Sequence, residues 1–502
     1  MDETTPLGSW LDRIDQIARE HPDVTALIMA GKSPASGHRE LLTWRDLAWR
    51  SAGVARLFAE RGVTLGCTVA IQLPNSVAFV LATLAAWRLG ATIVPIRWDL
   101  SAEERAQLVA MAHPALIVTE AGAGEDEIAV AAIAQAAPVD PASLPCSLIA
   151  APAWMTASEA LSTAPTLIAP KVTTALGSAS GMGLVGGRSS FADNTHHRHP
   201  VHLVCTPLYH MQGFALLFRA LTEDFRVIVM ERFEPEQFLD LVERERVNFV
   251  ALVPAITVRL LKSPTIQDRD LTSIENVILG AGATPDWAIR ALIELTSPET
   301  IKLGYGMSEG VAAAFLRGDE WLQHPGSVGR PSGVETLVVD AEGHTVPPGE
   351  EGELFFRPLG GTGDSFKYVA EDETHRLPGG WTSSGDHGRV DLDGYLYITD
   401  RGDDALASGG NVFVSEVEAA LLQHSDVADV AVIGLPDPEW NRRVHAIVQL
   451  RPGVDAAGMD TALRAHAKQH LAAHKAPQSY EYVAELASAE ADRERAGAKE
   501  AR

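Results

Sequence analysis

The chain has 502 residues, 46% of them hydrophobic, which is enough to bury more than one core, so at least two domains are expected. Its 41 basic and 66 acidic residues give a formal net charge of −25, which argues against a nucleic-acid or anionic membrane partner. Three scattered cysteines, Cys67, Cys146 and Cys205, fit neither a disulfide framework nor a metal knuckle and favour a reducing compartment. The opening MDETTPLGSW has no apolar secretory core, and Arg88 interrupts the longest apolar stretch, 76–95. We therefore expect a cytoplasmic protein that binds no membrane.

The first 120 residues alternate between helical and strand periodicity. Thr43 is placed to cap one helix, Gly90 to end a second, and Ser101 with Glu104 resembles a capping box before a third. The β-α-β-α-β order predicts right-handed crossovers and a parallel sheet covered by helices. The strands of this predicted sheet are TVAIQL (68–73), ATIVPI (91–96) and ALIVT (115–119).

From residue 121 to residue 400 the regular elements are more widely spaced. Residues 121–165 are expected to form loops with a short strand or helix inserted. Regular segments follow at 201–210, 226–230, 235–246 (a helix) and 248–254, and then GELFFR (352–357) and GRVDLDGYLYITDR (388–401), which alternate as short antiparallel strands do.

A domain boundary is expected near residue 400. Beyond it, Ser415 and Glu418 suggest a capping box for a helix that ends at His424. Strands at 427–435, 444–450 and 479–486, a helix near 459–473 and a charged tail then follow. The predicted organisation is of the α/β class, with an N-terminal domain over 1–400, a junction over 401–404 and a small α+β domain over 405–502.

Nine motifs occur in one order along almost the whole chain. They are LTWRDLAWRSAGVARLF, PNSVAFVLATLAAWRLGATIVPI, PLYHMQGF, GAGATP, GYGMSEG, GSVGRP, GELFFR, SSGDHGRVDLDGYLYITDR and SEVEAALLQHSDVADVAVIGLPD. Together they resemble the adenylate-forming superfamily of acyl-CoA synthetases, peptide-synthetase adenylation domains and luciferases. The resemblance implies a large N-terminal domain with parallel sheets and a small β subdomain, and a mobile C-terminal lid. One lid pose makes an acyl-adenylate and the other transfers its acyl group to a thiol.

The resemblance also implies an adenylate site. In GYGMSE, two glycines stand where backbone approaches a flat ligand, and a hydroxyl and a carboxylate follow. By resemblance, Tyr305 lies along adenine, Ser308 binds the α-phosphate, Asp386 and Arg401 bind the ribose, and Glu309 is the candidate Mg²⁺ ligand. An Asx turn would explain an isolated aspartate equally well, but the joint occurrence favours the site. The implied set is Gly282, Ala283, Thr284, Gly304, Tyr305, Gly306, Met307, Ser308, Asp386 and Arg401.

Other matches concern the acyl group and the thiol. By resemblance, His210 and Gly213 lie between the acyl pocket and the thiol tunnel, although a histidine after a strand is often only structural. Asp403 matches the hinge residue and Gly410 the glycine that lines the pantetheine path. The implied acyl-pocket wall is Val253, Pro254 and Ala255, and the candidate cations for CoA phosphates, which are equally explained as surface charges, are Arg442, Arg443, Lys468 and Lys475.

The two motifs that would serve ATP are missing. The family's phosphate loop reads like TSGTTGxPKG, whereas residues 176–185 read LGSASGMGLV and place Leu184 at the lysine position. The C-terminal lysine of a PxTxxGK motif is also absent, and only Arg493 and Lys499 lie nearby. If each loss costs about 10²–10³ in rate, adenylation falls by roughly 10⁴–10⁶.

The half-reaction that survives is thiol transfer, which needs a bound acyl-adenylate and a thiol delivered in line. The sequence therefore predicts a non-adenylating acyl-CoA ligase with acyl-AMP and CoA as substrates and no tightly bound cofactor. A separate adenylating enzyme would supply the acyl-AMP. Resemblance to non-adenylating ligases of natural-product biosynthesis suggests a bulky, diterpenoid acid.

Two alternatives stay open. The first is a complete ATP-dependent acyl-CoA synthetase in which Arg188 and Lys499 act as displaced cations. The second is a catalytically silent homologue that binds a nucleotide or scaffolds another enzyme. Retention of GYGMSE together with Asp386 and Arg401 argues against the second.

Overall fold

The computed structural model describes residues 10–31, 39–100, 102–124, 126–144, 156–158, 166–170, 199–306, 312–359, 366–368, 375–401, 405–407, 411–437, 441–471 and 475–486. Within these ranges the helices are α1 (Trp10–Glu20), α2 (Trp44–Glu60), α3 (Val77–Arg88), α4 (Ala102–Ala112), α5 (Val130–Gln135), α6 (Met211–Thr222), α7 (Pro235–Glu245), α8 (Pro254–Leu261), α9 (Asp286–Leu295), α10 (Gly318–Trp321), α11 (Val414–Leu421) and α12 (Met459–His470).

The strands over the same ranges are β1 (Thr25–Ala30), β2 (Arg39–Thr43), β3 (Thr68–Ile71), β4 (Thr92–Pro95), β5 (Leu116–Thr119), β6 (Glu127–Ala129), β7 (Thr156–Ser158), β8 (Thr166–Pro170), β9 (Val201–Val204), β10 (Arg226–Met230), β11 (Phe249–Leu252), β12 (Asn276–Leu279), β13 (Ile301–Gly306), β14 (Ala313–Arg317), β15 (Arg330–Pro331), β16 (Val334–Val339), β17 (Gly352–Pro358), β18 (Phe366–Tyr368), β19 (Arg376–Leu377), β20 (Trp381–Val390), β21 (Leu396–Arg401), β22 (Ala405–Ala407), β23 (Asn411–Phe413), β24 (Val427–Asp437), β25 (Asn441–Leu450) and β26 (Ser479–Val483).

Two largely parallel sheets form the centre of the N-terminal part. A nine-stranded sheet runs in the order β15-β14-β13-β12-β11-β9-β10-β1-β2, with parallel pairing from β13 to β1. A four-stranded sheet, β4-β3-β5-β6, is parallel throughout. The largest apolar core packs α1, α2, α3 and α6 between these sheets, around Phe79, Trp87, Phe214 and Phe218. Burial on both faces explains why the strands are continuous apolar runs.

The parallel sheet predicted from the first 120 residues is confirmed. Thr43 caps α2 in a full capping box: its hydroxyl accepts from the Asp46 N–H, and the Asp46 carboxylate accepts from the Thr43 N–H. Gly90 has a positive φ of 72° just after α3. The stretch at 121–165 contributes a short strand, β6, and a short helix, α5, as expected. Ser101 lies outside the described residues.

The remaining sheets are mostly antiparallel. Strands β16, β17, β19, β20 and β21 form a five-stranded antiparallel sheet, which confirms the alternation read at 352–357 and 388–401. The C-terminal domain contains β24, β25 and β26, with β25 and β26 parallel, and packs α11 and α12 on them. We call this C-terminal domain the lid.

The helix predicted at the start of the lid is confirmed. It is α11, which begins at Val414, and the Ser415 side chain proposed to cap it lies outside the described residues. The Glu418 carboxylate accepts a hydrogen bond from the backbone N–H of Val432 on β24, at 2.8 Å. This hydrogen bond joins α11 to β24, a tertiary contact that the sequence pattern did not predict for Glu418. No helix within the described ranges is long and apolar enough to cross a membrane.

Candidate functional site

Four segments singled out in the sequence follow the carboxyl ends of adjacent parallel strands. His210 lies beyond β9, Val253–Ala255 follows β11, Gly282–Thr284 follows β12, and Gly304–Gly306 ends β13. Crevices outside the carboxyl ends of parallel strands are where open α/β sheets bind ligands. The sheet thus brings four separate stretches of sequence to one edge, which we call the strand-end crevice.

Buried Asn75 holds the loop that leads to His210. Its side-chain nitrogen donates to the carbonyls of Thr206 (3.0 Å) and Met230 (2.9 Å), and its oxygen accepts from the Leu208 N–H (2.8 Å). Asn75 precedes α3, so one amide ties the four-stranded sheet to the ends of β9 and β10. Sequence reasoning missed this role, although an isolated asparagine between an apolar strand and an apolar helix is a signal for it.

His210 is exposed at the mouth of the crevice, immediately before α6, with its ring centroid 4.5 Å from that of Tyr209. Gly213 lies against the loop, because a Cβ at this position would approach the Pro207 carbonyl oxygen to 2.5 Å. This glycine therefore allows α6 to begin close to the loop, and that close approach places His210 at the opening.

The floor of the crevice consists of closely approaching backbone. The Gly280 N–H donates to the Leu252 carbonyl at 3.3 Å, and a Cβ on Gly280 would lie 3.3 Å from the Gly304 carbonyl oxygen. Ala281 has a φ of 59°, which side-chain-bearing residues rarely adopt and which recurs at binding sites. Beside it, a Cβ on Gly282 would lie 3.2 Å from the Pro254 ring. The segment predicted to line the acyl pocket and the segment predicted to line adenine are thus in direct contact.

Tyr305 and Asp386 form the polar centre of the site. The Tyr305 hydroxyl donates to Asp386 Oδ2 at 2.6 Å, and Asp386 is only 5% exposed. The Asp386 N–H donates to Ser384 Oγ at 3.2 Å, and the Tyr305 ring is 6.2 Å from that of Phe356. The β20–β21 register places Arg401 directly opposite Asp386. Tyr305 and Asp386, which are distant in sequence, are therefore in contact, and the backbone of Arg401 pairs with that of Asp386.

The lid packs on α8, the helix whose first residues belong to the predicted acyl-pocket wall. Val258 of α8 packs into the lid core, Trp287 of α9 packs against it, and Lys262 donates to the Val427 carbonyl of β24. Burial at this contact lowers the pKa of Lys262 to about 8. The lid is therefore in direct contact with α8.

Three of the candidate CoA cations lie at one end of the lid sheet. Because β25 and β26 are parallel, Arg442 and Arg443 at the start of β25 lie beside the segment that leads from Lys475 into β26. Lys468 is exposed on the last turn of α12. Arg443 Nε is buried without a hydrogen-bond partner among the described residues.

Several predicted site residues lie outside the described residues. They are Met307, Ser308, Glu309, Asp403, Gly410, the 176–185 loop with Leu184, Arg188, and the tail with Arg493 and Lys499.

Cys205 and Cys67 are free thiols, and burial raises the pKa of Cys205 to about 12, so that thiol is a packing group. Among the described residues no His, Cys, Asp and Glu cluster could hold a metal ion.

Comparison with known families gives matches over both parts of the chain. The profile of the AMP-binding enzyme family matches residues 14–173 and 182–361, and that of the AMP-binding enzyme C-terminal domain matches 416–491. A sulfoacetate–CoA ligase of Cupriavidus necator is 30% identical over 93% of this chain and 93% of its own length. A medium/long-chain fatty acid–CoA ligase of Mycobacterium tuberculosis is 35% identical over 56% of this chain and 50% of that protein.

Solved structures share the fold. The o-succinylbenzoate CoA synthetase of Bacillus subtilis, in complex with its acyl-adenylate intermediate, has a TM-score of 0.75 at 23% identity, covering 97% of this chain and 96% of that one. The anthranilate CoA ligase AuaEII in complex with anthranoyl-AMP has a TM-score of 0.76 at 22% identity, covering 100% and 99%. At this level of identity the likeness extends to the fold alone.

Proposed function

The chain belongs to the AMP-binding enzyme family, as an acyl-CoA ligase of the adenylate-forming superfamily, and on that premise we propose that it carries out only the thiol-transfer half-reaction. Its substrates are then a preformed acyl-adenylate and CoA. The CoA sulfur attacks the acyl carbonyl carbon, the bond from that carbon to the AMP phosphate oxygen breaks, and AMP leaves with the electron pair. The thiol proton passes to water.

The observation that carries the proposal is a contrast: the motifs that would bind AMP are present, and the motifs that would hold the pyrophosphate of ATP are missing. Two residues proposed for the nucleoside site are in contact, with the Tyr305 hydroxyl 2.6 Å from the buried Asp386 carboxylate, and the backbone of Arg401 pairs with that of Asp386. The residues that would hold the departing pyrophosphate are lost, since Leu184 occupies the lysine position and the tail lacks a GK pair. Thiol transfer releases no pyrophosphate, so it needs neither of the lost groups.

Each part of the site has a stated task in this reaction. Asp386 accepts from the ribose hydroxyls, Tyr305 orients Asp386 and lies along adenine, and the segment from Gly282 to Thr284 lines the other side of the base. Val253, Pro254 and Ala255 form a wall for the acyl group, which we propose to be bulky and diterpenoid. His210, exposed at the mouth of the crevice, lies on the thiol's route, and the candidate cations of the lid bind the CoA phosphates. A separate adenylating enzyme supplies the acyl-AMP.

A two-mixture experiment tests the proposal. Purified protein is given a synthetic acyl-AMP with CoA, and in parallel the free acid with ATP, Mg²⁺ and CoA. Thioester is expected from the first mixture. The second mixture should form it at least about 10⁴-fold more slowly, which is the smallest fall in adenylation rate expected from the loss of the two cations.

Controls separate the alternatives. Asp386→Ala should abolish thioester formation in the first mixture, which excludes spontaneous thiolysis as its source. Acid-dependent exchange of pyrophosphate into ATP would establish the complete synthetase instead. Absence of thioester from every acyl-AMP, with AMP still bound, would establish a silent homologue.

A further inference from the structure

Gln212 places an amide group across the strand-end crevice. It lies in the first turn of α6, beyond β9, yet its Nε2 is 3.5 Å from the position of a Cβ on Gly280, which follows β12. Strand β11 lies between β9 and β12 in the sheet. The side chain therefore spans the end of β11 and covers the crevice floor where Gly280 meets the Gly304 carbonyl.

The surroundings of this amide do not satisfy it. Gln212 Oε1 is fully buried and has no hydrogen-bond partner among the described residues, and the same holds for Thr284 Oγ1 at the end of the Gly280 loop. A buried polar atom without a partner costs about 1–3 kcal/mol, and a ligand group that bonds to it removes that cost. Gln212 belongs to the PLYHMQGF motif, but the family resemblance assigned it no function.

Two apolar residues lie close to this amide. Val253 and Pro254 lie beside the same floor, and a Cβ on Gly282 would touch the Pro254 ring at 3.2 Å. These described residues would give a hydrocarbon skeleton an apolar surface and, at Gln212, a polar contact. A hydroxyl fits that contact best, because it can both donate and accept and so satisfies an amide in either orientation.

We propose that Gln212 is a specificity-determining residue that binds a hydroxyl group carried by the acyl moiety. The inference rests on the proposed function, since it takes the crevice floor to be the acyl site. A site built to hydrogen-bond a hydroxyl discriminates strongly against the analogue that lacks it, because the protein's own polar group is then left unpaired.

Binding of stable acyl-adenylate mimics tests the proposal independently of turnover. The probes are acyl sulfamoyladenosines of cyclohexanecarboxylic acid and of its 2-, 3- and 4-hydroxy derivatives, titrated into the full-length protein. We expect one hydroxy isomer to bind about tenfold or more tightly than the unsubstituted probe. Gln212→Met, of similar size, should remove that preference and bind the unsubstituted probe at least as well as the wild type does.

Gln323→Met is the matched control, because Gln323 is exposed outside the crevice, and it should retain the wild-type preference. A thermal unfolding curve of Gln212→Met checks that the variant is folded, and Gln212→Leu serves as a second apolar variant. Equal affinities for all four probes in the wild type, or a hydroxyl preference that persists in both Gln212 variants, would overturn the role of Gln212. Neither result bears on thioester formation from acyl-AMP, so failure of this inference is distinguishable from failure of the proposed function.

Discussion

The bond between Tyr305 and Asp386 should couple the binding of AMP to the orientation of a single carboxylate. The oxygens are 2.6 Å apart and Asp386 is 5% exposed, a geometry typical of a charge-assisted hydrogen bond. Hydrogen bonds to charged groups contribute about 1.5–3 kcal/mol. If Tyr305 holds Asp386 in its ribose-binding orientation, Tyr305→Phe should weaken AMP binding by about tenfold or more, since about 1.4 kcal/mol corresponds to tenfold.

A double-mutant cycle isolates this interaction. Tyr305→Phe, Asp386→Ala and the double variant are compared by urea unfolding, followed through tryptophan fluorescence, and by calorimetric titration with AMP. We expect a coupling free energy of about 1–2 kcal/mol in both measurements, because the hydroxyl has little to orient once the carboxylate is gone.

Tyr397→Phe is the matched control. Tyr397 also donates to an aspartate, Asp391 Oδ2, at 3.1 Å, but in the turn between β20 and β21 and away from the strand-end crevice. Its removal should leave the affinity for AMP unchanged. Additivity of Tyr305→Phe and Asp386→Ala within about 0.5 kcal/mol in the AMP titration would refute the orienting role of Tyr305.

Three further predictions concern stability and the lid. Asn75→Ala should lower the free energy of unfolding in urea by about 2–4 kcal/mol, because two carbonyls and one amide lose their buried partner; a loss under 1 kcal/mol would contradict this. Burial lowers the pKa of His202 to about 3, against 6.5 unfolded, so the unfolded chain takes up the proton first and stability falls as pH drops below 6.5. Between about pH 8 and pH 5, the wild type should therefore lose about 2 kcal/mol of its free energy of unfolding through His202. His202→Leu should lack this loss, whereas the variant of an exposed histidine, His113→Asn, should keep it. Lys262→Met removes the donor to the Val427 carbonyl and should speed hydrogen exchange in β24 about tenfold; unchanged exchange would show that this contact does not hold the lid.

The sequence predicted the elements well wherever the signal was local. Thr43 caps α2, and Gly90 follows α3, as predicted. Helix caps depend on a few neighbouring residues and on backbone torsion angles that only certain residue types adopt easily. Glu418 shows the limit of local signals. Its carboxylate accepts a hydrogen bond from the Val432 N–H of β24, a tertiary contact that the pattern of neighbouring residues did not predict.

For the candidate site, the sequence by itself determined which residue types are present, including the loss of the lysine at Leu184, because motif order and composition are properties of the chain. Only the tertiary structure decided which of these residues meet. Tyr305 reaches Asp386, and Gln212 reaches across β11 to Gly280, because the parallel sheet brings the carboxyl ends of separate strands to one edge. The unpartnered Gln212 oxygen is likewise a tertiary property, since an unsatisfied atom is defined by all the groups around it in space and not by its neighbours in sequence.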